Sequence, residues 1–179
     1  ECAHAGDAAS DWRVWAFDVS HSTGAKYFIA APTAVFCNVY LGLAPPERHA
    51  YECVGSSRGC FAYFDLDAVI TSGVDEQRVR ATAAIVLSVS VAMLRELSGV
   101  QSISIETVVL DATRPEKFSQ HLVLRSLTTS GPLLLNGPVA AGSFAELVRQ
   151  RLCSSTDEDV RTAASLIDHS VYGEHRRFR

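Results

Sequence analysis

The stretch Phe61–Val69, FAYFDLDAV, constrains the fold more than any other part of the chain. Its apolar and aromatic residues suit a buried strand, yet it carries Asp65 and Asp67, two residues apart. Side chains at that spacing leave a strand on the same face, roughly 7 Å apart along it. At an effective dielectric near 20, two carboxylates so placed repel by about 2–3 kcal/mol. A divalent cation removes that repulsion, because Mg2+ and Mn2+ take hard oxygen donors of this kind. The plainer alternative is a strand end that meets water.

With 179 residues, 47% of them hydrophobic and 20% charged, the chain can bury the core of one domain or of a tight two-lobed one. Its net charge of −4 disfavours a protein that simply coats nucleic acid, but not an enzyme with a small basic site. The five cysteines (Cys2, Cys37, Cys53, Cys60 and Cys153) are odd in number and irregular in spacing, with no zinc-ligand pattern. They read as free thiols in a reducing, intracellular compartment, a Cys53–Cys60 disulfide being the lesser alternative. No run of 18 residues is wholly apolar, so neither a transmembrane helix nor a membrane partner is expected. The chain begins at Glu1 rather than Met and reads as an excerpt.

Periodicity orders the rest. Trp12–Phe17 is a short apolar element of undefined type, and YFIAA is a strand that stops before Pro32. Pro32 and Thr33 open a helix over TAVFCNVYLG. YECVGSSRGCFAYFDLD reads as a hairpin-type pair of strands around GSSRG. Asp75 caps a long helix over Glu76–Leu97, closed by Gly99. SIETVVLDA and FSQHLVLRSL are strands about the turn TRPEK, and TSGPLLLNGP is loop-like. A helix follows over Gly142–Cys153, another over Asp157–Ala163, then a short strand ASLID (Ala164–Asp168). Irregular alternation of strands and helices predicts an α+β fold or a mixed sheet rather than a helical bundle.

Two further stretches carry chemistry. In EKFSQHLVL, Ser119 and His121 share a strand face with Lys117 nearby, a set that can contact an anion. Taken alone, a half-buried histidine beside a strand hydroxyl is the better explanation of them. A nucleophilic Ser–His pair does not, since neighbours on one strand face aim in parallel and no nucleophile elbow is present. In LIDHSVYGEHRRFR, Asp168 closes an apolar segment, and Arg176 and Arg179 follow with guanidinium forks suited to phosphate oxygens. The alternative there is a solvated basic tail. Jointly the three stretches supply carboxylates for metal, a Ser/His/Lys face and arginines, the set a metal-dependent nucleoside triphosphate site needs.

In this order, YFDLD, LDATRPEKFSQHLVL and IDHSVYGEHRRFR resemble the catalytic motifs of the archaeo-eukaryotic primases, most nearly the PrimPol-type primase-polymerases. HAYECV (His49–Val54) resembles that family's approach to its first motif, and the likeness spans about Trp12 to Arg179. The resemblance implies a split, RRM-like catalytic core, a mixed or antiparallel sheet flanked by helices. It would divide into an N-terminal lobe over 11–55 and a catalytic module over 56–179. It implies template-directed nucleotidyl transfer with Mg2+ or Mn2+. Asp65, Asp67 and Asp168 would be the catalytic and metal-holding carboxylates. Lys117, Ser119, His121, Arg176 and Arg179 would hold the nucleotide, with Lys26 as a loose further match. Single-stranded DNA template, primer, nucleoside triphosphates and replication proteins would be the partners, in the nucleus or mitochondrion.

The sequence departs from the family in places. The first motif is D-x-D where D-x-E is common, Ala112 stands where a small hydroxyl is usual with Thr113 beside it, and Glu174 replaces a basic residue. No counterpart of the C-terminal zinc-binding module that many relatives carry is read in the sequence. Other readings stay open: the primase subunit of a herpesvirus-type helicase–primase, a catalytically weak DNA-binding scaffold, and a DxD glycosyltransferase. The last leaves Ser119, His121 and the arginines without a role.

Overall fold

A computed structural model describes residues 12–19, 25–44, 47–48, 50–55, 58–70, 75–100 and 102–172. It is an α+β protein built on antiparallel sheets, and it divides into two compact units, one through Val54 and one from Gly55.

In the first unit, strands β1 (Trp12–Asp18), β2 (Lys26–Pro32) and β3 (Ala50–Cys53) form a sheet of order β2-β1-β3. Trp12–Phe17 is thus a strand, and β2 runs through Pro32 rather than stopping before it. Helix α1 (Thr33–Gly42) follows directly and packs through Phe36, whose ring lies flat on Trp15 at 3.8 Å.

The second unit carries the chemistry. Strands β4 (Ala62–Val69), β5 (Ser104–Asp111) and β6 (Lys117–Thr128) form a sheet of order β4-β6-β5, and the short β7 (Gly131–Pro132) pairs with the end of β6. Helices α2 (Glu76–Ser98), α3 (Gly137–Cys153) and α4 (Glu158–Ala163) complete it. Alternate residues of β4 and β6 (Ala62, Phe64 and Leu66; Phe118, Leu122 and Leu124) join Val86, Met93, Phe144, Val148 and Leu152 in one buried core. One sheet face is thereby closed, and the opposite face of β4 and β6 is left for polar residues.

Helix α2 starts and stops where its sequence dictates. The Asp75 side chain accepts from the Gln77 amide, and Gly99 adopts φ 62°, the left-handed conformation glycine enters without strain. By length and composition alone α2, with a mean hydropathy of 1.5, is able to cross a membrane. Core helices pass the same test, and its Ala83, Val86, Met93 and Leu94 are buried in the core.

Three expectations are corrected. The segments flanking GSSRG do not form a hairpin: β3 pairs with β1 in one sheet and β4 with β6 in the other. Strand propensity marks both strands, but it does not encode a partner. ASLID is not a strand; Ala164–Leu166 is a 3₁₀ turn, and Ile167 makes one isolated bridge to Leu66. Helix α3 begins at Gly137, not Gly142, with Pro138 in its first turn where a missing N–H costs nothing. Cys37, Cys53, Cys60 and Cys153 form no disulfide.

Candidate metal centre

The register of β4 against β6 builds the site. Asp65 lies directly opposite His121 and Asp67 opposite Ser119, while Lys117 sits one rung further, opposite Val69. Two motifs separated by some 50 residues of chain thus become cross-strand neighbours on the open sheet face. Asp65 is 8% exposed. Its Oδ1 and that of Asp67 are buried and accept no hydrogen bond among the described residues. His121 Nε2 approaches Asp65 Oδ1 at 3.3 Å, close enough for electrostatic attraction but not aligned as a hydrogen bond. Lys117 reaches back along the face, and its Nζ donates to Asp67 Oδ2 at 2.7 Å.

The third carboxylate comes from the far end of the unit. Asp168 lies between the 3₁₀ turns Ala164–Leu166 and His169–Val171 and caps the second, its oxygens accepting from the Ser170 amide and hydroxyl, both at 2.8 Å. Its own amide donates to the Asp65 carbonyl at 2.8 Å. One oxygen each of Asp65, Asp67 and Asp168 lies within 4.8 Å of the others. Three hard donors so close, two of them with buried oxygens lacking hydrogen bonds, fit Mg2+ or Mn2+, and no thiol is part of the set.

Sequence reasoning missed the residues that support this site. The Thr113 hydroxyl lies 3.4 Å from the Ser119 carbonyl, to which it donates, and accepts from the Ser119 amide at 3.2 Å. The hydroxyl beside Ala112 therefore pins the strand that bears Ser119. Asp111, at the end of β5, takes bonds from Thr113, Arg80 and Gln120, which hold its carboxyl far below the usual range. Tyr172 donates from its hydroxyl to the Tyr63 carbonyl at 2.7 Å and stacks on the Tyr63 ring at 5.1 Å. Burial, reinforced by the negative field of neighbours that include Tyr63, Asp65 and Asp168, pushes the Tyr172 phenol far up, so it stays protonated. Gly142, inside α3, lies against Tyr172: a Cβ there would sit 2.7 Å from the Tyr172 Cβ. With the helix read as starting at Gly142, nothing in the sequence signals this contact.

Lys26 belongs to the first unit, where its ammonium pairs with Asp18 and lies over the Tyr51 ring at 4.5 Å. With its side chain 5% exposed, that charge is already committed. Arg176 and Arg179 fall outside the described residues.

No family model and no curated protein matches the chain.

Proposed function

We propose that this protein is a metal-dependent nucleotidyltransferase of the archaeo-eukaryotic primase type, extending or initiating a nucleic-acid strand on a single-stranded DNA template. The observation that carries the reading is the convergence of Asp65, Asp67 and Asp168 within 4.8 Å, beside His121, Ser119 and Lys117 on one sheet face. A lone acidic pair on a strand serves many chemistries. A third carboxylate meeting it, with Ser119, His121 and Lys117 in cross-strand register, favours transfer of a phosphate-bearing group.

Mg2+ or Mn2+ held by Asp65, Asp67 and Asp168 would supply Lewis-acid activation of the attacking 3′-hydroxyl and neutralisation of the pyrophosphate leaving group. The chain's residues do the rest. Asp65, Asp67 and Asp168 hold the cation in a partly buried setting, where charge interactions are strengthened. His121, Ser119 and Lys117 bind and orient the triphosphate, with Arg176 and Arg179 as further phosphate ligands. Burying Asp65 excludes water from one side of the centre.

The test is primer extension with Mg2+ or Mn2+, comparing the wild type with Asp65→Asn/Asp67→Asn. Extension by the wild type and at least a hundredfold loss in the folded variant is expected. A folded wild-type protein that adds no nucleotide overturns the proposal.

A further inference from the structure

Asp168 is the ligand with the least secondary structure to hold it. It sits between two three-residue turns, too short to fix its position by their own hydrogen bonds. Its neighbours on β4 decide where it goes. In the sheet order β4-β6-β5, β4 has β6 on one side, and its outer edge meets Ile167 through one bridge at Leu66. Carbonyls two residues apart on a strand point the same way, so those of Tyr63 and Asp65 both face outward. The Asp65 carbonyl takes the Asp168 amide at 2.8 Å, and the Tyr63 carbonyl takes the Tyr172 hydroxyl at 2.7 Å.

We propose that Tyr172 is the positioning residue for Asp168. Its phenol stands in for a strand amide on the free edge of β4, and Gly142 leaves the room that lets it do so. The proposal rests on the metal-site reading above. The segment from Asp168 to Tyr172 is clamped at both ends to carbonyls of the strand that also carries Asp65. The Tyr172 amide cannot supply this clamp, since it turns back to the His169 carbonyl. The ring is held on one side by Tyr63 and on another by α3, where a methyl at Gly142 would overlap its Cβ. A Cβ fixed to a helix backbone cannot rotate away, so the ring would have to move. Tyr172 touches neither metal nor nucleotide in this scheme; it acts through the position of Asp168.

The experiment compares wild type, Tyr172→Phe, Gly142→Ala and Ser126→Ala, reading free Mn2+ by electron paramagnetic resonance and amide exchange at Asp168. Ser126 is the control, because its buried hydroxyl also bonds a backbone carbonyl, that of Leu133, without any part in the centre. Tyr172→Phe keeps the ring stack and removes the donor. It is expected to weaken Mn2+ binding about fivefold and to speed Asp168 exchange by a similar factor, the effect of one lost hydrogen bond. Gly142→Ala should lose more in both readouts, and Ser126→Ala should change neither. Wild-type Mn2+ affinity and Asp168 protection in folded Tyr172→Phe overturn the proposal. If wild type binds no Mn2+ while Tyr172→Phe still exposes the Asp168 amide, the metal reading falls and the positioning role stands.

Discussion

Replacing Lys117 with methionine should tighten Mn2+ binding while weakening nucleotide binding. The ammonium lies 2.7 Å from Asp67 Oδ2, on the carboxylate a metal would recruit, so the cation and Lys117 compete for the same charge. At about 4 Å between charge centres and a dielectric of 20, the bare attraction is about 4 kcal/mol. Lys117 is 43% exposed and Asp67 27%, so solvent screening and side-chain entropy leave about 0.2–1 kcal/mol of it. Removing the competitor should therefore raise Mn2+ affinity about 1.5- to 5-fold. Without metal, the same substitution exposes the Asp65–Asp67 repulsion, and the melting temperature should fall by at most about 2–4 °C. Saturating Mn2+ should restore it. Titration of free Mn2+ by electron paramagnetic resonance, with melts at zero and saturating metal, measures both effects. Unchanged or weaker Mn2+ binding in Lys117→Met refutes the competition. So does a stability loss that metal fails to reverse.

Other perturbations probe separate parts of the structure. Because Asp111 is held below its ordinary pKa, the stability it confers is complete above about pH 4 and is lost as pH falls through the depressed value. Asp111→Asn should flatten the acid side of a melting-temperature profile between about pH 4 and pH 2, and an unchanged slope counts against the Arg80–Asp111–Thr113 network. Gly99→Ala meets no steric neighbour, but it forces φ 62° on an L-residue and should cost about 1–2 kcal/mol in urea unfolding with Mn2+ affinity untouched. Phe64→Ala opens the closed sheet face against Phe144 and should cost about 3–5 kcal/mol by the same assay.

Much of the site could be read before its geometry was known, but its assembly could not. Alternation along FAYFDLDAV put both carboxylates on one face, and the same rule put Ser119 and His121 together, as the register bears out. That Asp65 faces His121 is a fact about pairing between strands distant in sequence. Alternation fixes the face of each strand and leaves the register free, so the two motifs could be chosen but not joined. ASLID failed differently. Its apolar residues are buried as in a strand, but β4 gives them a single rung, and the chain turns to bring Asp168 inward. The expected helix over Gly142–Cys153 starts five residues late, because its apolar spacing starts at Phe144 and the residues before it read as loop; Gly142 lies inside α3, against Tyr172.

The two aspartates on β4 also bear on aggregation. An edge strand as apolar as Ala62–Val69 is a template on which other copies can pair and stack into aggregates. Natural sheets guard such edges with charges on the strand, and Asp65 and Asp67 are those charges here. They reach the ribosome exit well before Lys117 and His121, so the nascent strand stays hydrated until its cross-strand partners have been made. Alanine at both positions would remove that guard along with the metal ligands. An alanine pair made to silence the centre would then be prone to precipitate, and its inactivity would say little about catalysis. Asparagine leaves the strand polar and keeps the two effects apart.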